Sequence, residues 1–182
     1  MKKVVDVLNA ADIEYMISGS VVSSLQGEPR ATHDIDFLVA IKHESAAKLL
    51  DAFGGPDYYL DEASITRAID GQTMFNLIDV NTGDKADFWI LTAEPFDKSR
   101  FARKYSEDFA GIEIVVSSPE DTILAKLRWA KLSGGSEKQF TDALRVYEVQ
   151  YRKLDLDYLR VWAKKLDIEP LLHELQAEAE VI

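Results

Sequence analysis

The sequence contains no cysteine, which excludes disulfides and any thiolate metal site and suits a cytoplasmic protein. Positive charge is scarce: 21 Lys and Arg stand against 32 Asp and Glu, a formal net charge of −11. Nucleic-acid binding relies on clustered Lys and Arg to release counterions, so this balance excludes an extensive nucleic-acid surface and leaves room only for a small basic patch. No apolar run approaches the ~20 residues of a membrane span, and no basic apolar leader is present, so a soluble chain without membrane contact is expected. Repeats and low-complexity tracts are missing too, and the only Gly-rich interruptions are "FGGPD" and "LSGGSE".

What is present is enough for a real core: 182 residues, 47% of them hydrophobic. Apolar spacing predicts a helix over 2–11, a short strand at 15–17, a Ser18-Gly19 break and a helix over 20–26. A strand at 34–41, helices at 44–53 and 62–69, and strands at 73–80 and 85–91 around "NTGD" follow; the last two should pair antiparallel. A basic segment, 98–104, leads to a strand at 112–116. From Ser118 the character changes. "SPEDTILAKLRWA" offers a Ser cap, a Pro at the first helical position and an acidic first turn. "SEKQFTDALRVYEVQ" repeats the capping logic with Ser136 and Gln139, and helices are expected at 157–166 and 169–180. The fold class is therefore α/β (α+β): a mixed sheet with flanking helices over 1–117, followed by an all-helical part, 118–182, packed on it.

One stretch, "ISGSVVSSLQGEPRATHDIDFLVAI", puts Asp34 and Asp36 inside an apolar strand. A carboxylate there is costly unless a cation or hydrogen-bond donor meets it. Strand alternation turns Asp34, Asp36 and Leu38 to one face and Ile35, Phe37 and Val39 to the other, so the two carboxylates share a surface on which one cation can be held. The plainer alternative is a pair of rim residues, solvated or capping loops. Magnesium takes one or two carboxylates plus substrate phosphates, and a two-metal site wants about three, so a third is sought. Asp87 in "KADFWIL" is the first choice and Asp79 in "NLIDV" its rival. A second D-x-D, Asp155 and Asp157, precedes helical spacing and reads as an N-terminal cap. Trp129, Tyr147 and Trp162 fall at helical core positions. His33 alternates away from Asp34, and His43 and His173 read as surface residues.

Taken together, "SGS" at a strand-to-helix turn, "RATHDIDFLV" on the next strand and a lone Asp in a later one resemble the nucleotidyltransferase superfamily with the DNA polymerase beta-like fold. The stretch "SPEDTILAKLRWAKLSGGSEKQFTDALRV" is similar to the helical continuation of small bacterial nucleotidyltransferases, including abortive-infection type toxins. That resemblance implies that Asp34, Asp36 and Asp87 are catalytic and hold Mg²⁺ or Mn²⁺, and that Gly19, Ser20 and Arg30 meet the phosphates of a nucleoside triphosphate substrate. Lys126 and Asp142 match a lysine and an aspartate that belong to the site in the toxin-like relatives. The implied activity moves a nucleoside monophosphate from the triphosphate to a hydroxyl on an unidentified acceptor: a tRNA, a protein or a small molecule. The alternative is a catalytically silent nucleotide-sensing module, or one that binds a partner protein in a toxin–antitoxin type pair. A D-x-D glycosyltransferase or phosphodiesterase fits less well, because the Gly-Ser turn precedes the acidic strand.

Overall fold

The computed structural model describes residues 1–32 and 34–181, so His33 lies outside the described residues. In chain order the elements are α1 (Lys2–Ala10), β1 (Glu14–Ser18), α2 (Gly19–Gln26), β2 (Asp34–Ala40), α3 (His43–Phe53), β3 (Tyr58–Tyr59), α4 (Glu62–Gly71), β4 (Met74–Asp79) and β5 (Lys85–Ile90). Then come α5 (Pro95–Ala102), β6 (Tyr105–Phe109), β7 (Ile112–Val116), α6 (Pro119–Leu132), α7 (Glu137–Gln150), a 3-10 turn (Tyr151–Lys153), α8 (Leu156–Lys165) and α9 (Glu169–Glu178). These form two compact units: Met1–Ser18 with Thr32–Val116, and Gly19–Ala31 with Ser117–Ile182. None of the described helices is long and apolar enough to cross a membrane.

The first unit is built on a seven-stranded mixed sheet of order β3-β4-β5-β2-β1-β7-β6. β1 runs antiparallel to β2, β2 runs parallel to β5, and β5 runs antiparallel to β4. Alternation gives the central strands β1, β2 and β5 of this sheet one apolar face. Across it the rings of Tyr15, Phe37, Phe88 and Phe75 follow one another strand by strand, with Phe37 stacked on Phe88 at 5.2 Å and Phe75 on Phe88 at 4.8 Å. The helices of this unit bury Val4, Val5 and Leu8 (α1), Leu49 and Phe53 (α3) and Ile65 and Ala68 (α4), each set at helical spacing. The opposite face is mixed. Met16, Leu38 and Phe101 form a small buried cluster there, with Trp89 and Leu91 packed against it, and charged residues of β2 and β5 lie on the same face.

Besides the 3-10 turn, three elements escape the sequence reading. β3 is only two residues long, and α5 occupies part of the segment read merely as basic, starting on Pro95 behind Glu94. The third, β6, is joined to β7 by Ala110 and Gly111, both at positive φ (53° and 79°). A type I′ two-residue hairpin turn demands that conformation at both positions and normally takes Asn or Asp with Gly. Alanine in the first place hides the turn. The expected β4–β5 hairpin forms, and Asp79 belongs to its turn, accepting from the backbone N–H groups of Asn81 (2.9 Å) and Thr82 (3.2 Å).

The second unit is helical. Ser118 caps α6, its Oγ accepting from the Asp121 N–H at 3.2 Å, with Pro119 in the first turn. Asp155 caps α8 through the Tyr158 N–H at 2.9 Å, and Asp157 pairs with Arg160, so the second D-x-D is a helix start. Ser136 stands at the N-cap of α7 but makes no side-chain capping bond; its own N–H is turned back to the Ala130 carbonyl by Gly134 and Gly135, both at positive φ. Tyr147 and Trp162 are buried, whereas Trp129 is 49% exposed and does not belong to the core. The buried stripe of α6 runs through Ile123, Leu124, Leu127 and Ala130, and Trp129 falls beside it. Gly27, just past the end of α2, lies against α7: a Cβ there would sit 2.9 Å from both the Ser23 carbonyl oxygen and the Val146 nitrogen.

Candidate functional site

In the first unit, parallel pairing of β2 with β5 sets Asp36 beside Asp87 and Asp34 beside Lys85, and antiparallel pairing of β5 with β4 sets Asn76 on the other side of Asp87. Residues in register on neighbouring strands share a face, at an interstrand spacing of about 4.8 Å. Asp34, Asp36, Asp87, Lys85 and Asn76 therefore form one polar patch on the mixed face. Asp79, one residue out of phase with Ile78, which sits opposite Lys85, is turned from that patch. Asp34 is exposed, Asp36 half-buried and Asp87 buried.

Each inner carboxylate has a donor. The Trp89 indole Nε1–H donates to Asp36 Oδ1 at 3.2 Å. Asn76 Nδ2 donates to Asp87 Oδ1, and the Lys85 ammonium lies 3.0 Å from Asp87 Oδ2. The hydrogen bond to Asp87 raises the Lys85 pKa most; burial opposes it, and the charges of Asp87, Asp34 and Asp36 add to the rise. The donor set is all hard carboxylate oxygen, the chemistry that suits Mg²⁺ or Mn²⁺. Among the described residues, however, no group of three His, Asp or Glu side chains is drawn together as a ready metal cage. A lysine holds the third carboxylate instead.

The second unit gathers the remaining candidates. Gly19 opens α2 at φ 68°, a left-handed conformation that favours glycine. Ser20 follows, and its Oγ accepts from Arg30 Nη2 at 2.7 Å. Arg30 grips Asp142 with two nitrogens, Nε to Oδ1 at 3.1 Å and Nη2 to Oδ2 at 3.0 Å, and Lys126 Nζ reaches Oδ2 at 2.7 Å. Ser23 Oγ also lies 3.4 Å from Oδ2. Lys126 and Asp142 are nearly buried, with side chains 6% and 10% exposed. Burial pushes the Asp142 carboxyl up, but the hydrogen bonds and charges of Arg30 and Lys126 outweigh it and hold the pKa below the ordinary value. Two cations therefore converge on this one carboxylate.

Lys85, Asn76, Trp89 and Ser23 are absent from the sequence-based set. For two of them a local signal exists: Lys85 and Trp89 sit two residues either side of Asp87 and so must share its face. Asn76 and Ser23 depend on pairing across the fold.

No protein-family model and no curated protein matches the chain. Solved structures do. An antigenic nucleotidyltransferase-like protein from Paracoccidioides brasiliensis aligns over 100% of this chain and 92% of its own, with 17% identity and a TM-score of 0.58. ANT(2")-Ia, solved in complex with adenylyl-2"-tobramycin, aligns over 91% of this chain and 93% of its own, with 13% identity and a TM-score of 0.58. The lincosamide antibiotic adenylyltransferase LnuA, lincomycin-bound, aligns over 80% and 93%, with 12% identity and a TM-score of 0.53. The fold of this chain is that of the nucleotidyltransferases.

Proposed function

We propose that the protein is a metal-dependent nucleotidyltransferase that moves a nucleoside monophosphate from a nucleoside triphosphate to a hydroxyl acceptor. The observation that carries this is the in-register placement of Asp34 and Asp36 on β2 with Asp87 on β5, on one face of a nucleotidyltransferase-type sheet. Asp34, Asp36 and Asp87 hold Mg²⁺ or Mn²⁺, which when bound neutralises phosphate charge and lowers the pKa of the attacking hydroxyl. The acceptor oxygen attacks the α-phosphorus, a new P–O bond forms, the bond to the bridging oxygen breaks and pyrophosphate leaves. A carboxylate oxygen of Asp87 takes the acceptor's proton. Such transfer depends mainly on positioning and on cations that meet the developing charge.

Ser20, Arg30 and Lys126 are assigned to the phosphates, with Gly19 giving the turn that frees the first N–H groups of α2, where anions are favoured. Asp142 holds Arg30 and Lys126 in place. Two of the structural neighbours are antibiotic adenylyltransferases, one solved with lincomycin and one with adenylyl-2"-tobramycin. They favour a small polyhydroxylated acceptor over tRNA or a protein. A second reading, a silent nucleotide-sensing or partner-binding module, draws on the Lys85 ammonium at Asp87, since a permanent ion pair there would block metal. The deciding assay incubates the protein with α-³²P nucleoside triphosphates, Mg²⁺ or Mn²⁺, and acceptors spanning aminoglycoside-like and lincosamide-like compounds, tRNA and protein. Label on a small acceptor that disappears in Asp36→Ala and Asp87→Ala but persists in Asp155→Ala supports the enzyme. Nucleotide binding without transfer to any acceptor supports the silent module.

A further inference from the structure

We propose that Lys85 is a built-in, displaceable counter-ion: its ammonium holds Asp87 in the metal-free protein and leaves when a divalent cation enters. The inference rests on the reading of Asp34, Asp36 and Asp87 as metal ligands. Pairing with β2 puts Lys85 beside Asp34, and strand alternation puts it on the face of Asp87, two residues on. Three carboxylates on one face repel one another when no cation is present. Lys85 relieves that repulsion from within the same strand, 3.0 Å from Asp87 Oδ2. Its side chain is 35% exposed, against 12% for Asp87, so the flexible four-carbon stem can carry the ammonium outward into water while the carboxylate stays where it is. Asn76 keeps its hold on the other oxygen, Oδ1. The carboxylate is thus oriented independently of the lysine, and Oδ2 is the oxygen exchanged between ammonium and metal.

Displacement makes Lys85 a competitor of the metal, so its removal should tighten metal binding by about tenfold, the size of one charge-assisted hydrogen bond. The test is Mn²⁺ titration by electron paramagnetic resonance on wild type, Lys85→Met, Lys85→Arg and Asp36→Asn, without nucleotide. Lys85→Met should bind about tenfold tighter than wild type, Lys85→Arg no tighter, and Asp36→Asn much more weakly. If wild type binds Mn²⁺ through Asp36 while Lys85→Met binds equally or more weakly, the counter-ion proposal is overturned and the metal site stands. If neither wild type nor Lys85→Met shows Asp36-dependent binding, the metal reading fails and the proposal falls with it. A second readout needs no variant: the side-chain ¹⁵N resonance of the Lys85 ammonium, slowed in proton exchange by its ion pair, should lose that protection at saturating Mg²⁺. Protection that persists at saturation would show that lysine and metal do not compete.

Discussion

Substituting Asp142 by Ala tests whether Arg30, Lys126 and Asp142 in the second unit are held together as one coupled triad. The carboxylate receives Lys126 at 2.7 Å and two Arg30 nitrogens at 3.0 and 3.1 Å. With the carboxylate gone, two cations that shared Oδ2 face each other beside a nearly buried helix pair. Removing one partner of a buried ion pair costs about 3–5 kcal/mol. Arg30, with 31% of its side chain exposed, can turn its guanidinium to water, so Lys126, 6% exposed, sets the loss and the lower figure applies. At this size a loss of about 3 kcal/mol lowers Tm by roughly 6–12 °C. Adding Lys126→Met should recover much of it, because an apolar side chain of similar length removes one of the two cations left facing each other, and a double-mutant cycle isolates the coupling. Thermal and urea melts followed by circular dichroism give both numbers. An Asp142→Ala variant within about 0.5 kcal/mol of wild type, with effects that simply add to those of Lys126→Met, would refute the reasoning, since contacting charges must couple.

The same carboxylate sets a pH dependence: its folded pKa lies below the ordinary value, so its contribution is present above about pH 4, the unfolded carboxylate value, and is lost as pH falls through the folded one. The stability gap between wild type and Asp142→Ala should accordingly shrink in melts below pH 4 and stay constant from pH 5 to 7. Asp36→Asn should be neutral or stabilising without metal, because it relieves repulsion, yet lose most of the ~2.7 kcal/mol that Mg²⁺ and a non-hydrolysable nucleotide at ~100 times Kd confer on wild type; calorimetric Tm values with and without ligand check this. Gly27→Ala should cost about 1–3 kcal/mol by overpacking, since the new Cβ meets backbone atoms of Ser23 and Val146 at 2.9 Å; unchanged urea stability would place the α2–α7 contact elsewhere.

Local chemistry is written plainly in this sequence. The alternation that puts Asp34 and Asp36 on one face of β2, the caps at Ser118 and Asp155, and the β4–β5 hairpin around "NTGD" each depend on residues a few positions apart. Elements whose residues break the usual preference, such as the Ala110-Gly111 turn that creates β6, were not legible, because the tertiary pairing overrides a weak local signal. Trp129 is exposed despite its helical core spacing for a similar reason: that spacing defines several stripes, and only the packing partner selects which one is covered.

The sequence by itself determined that carboxylates occur in two apolar strands and that a Gly-Ser turn precedes the first. Only the tertiary structure decided that Asp87 and not Asp79 joins Asp36, since phase across strands follows from which strands pair and in what register, a property no single strand carries. It likewise decided that Arg30 meets Asp142, 112 positions away in the chain, with Lys126 on the same oxygen. A buried carboxylate signals from sequence that a cation must come to it, because leaving it unmet is too costly; which cation arrives is settled by packing between distant segments.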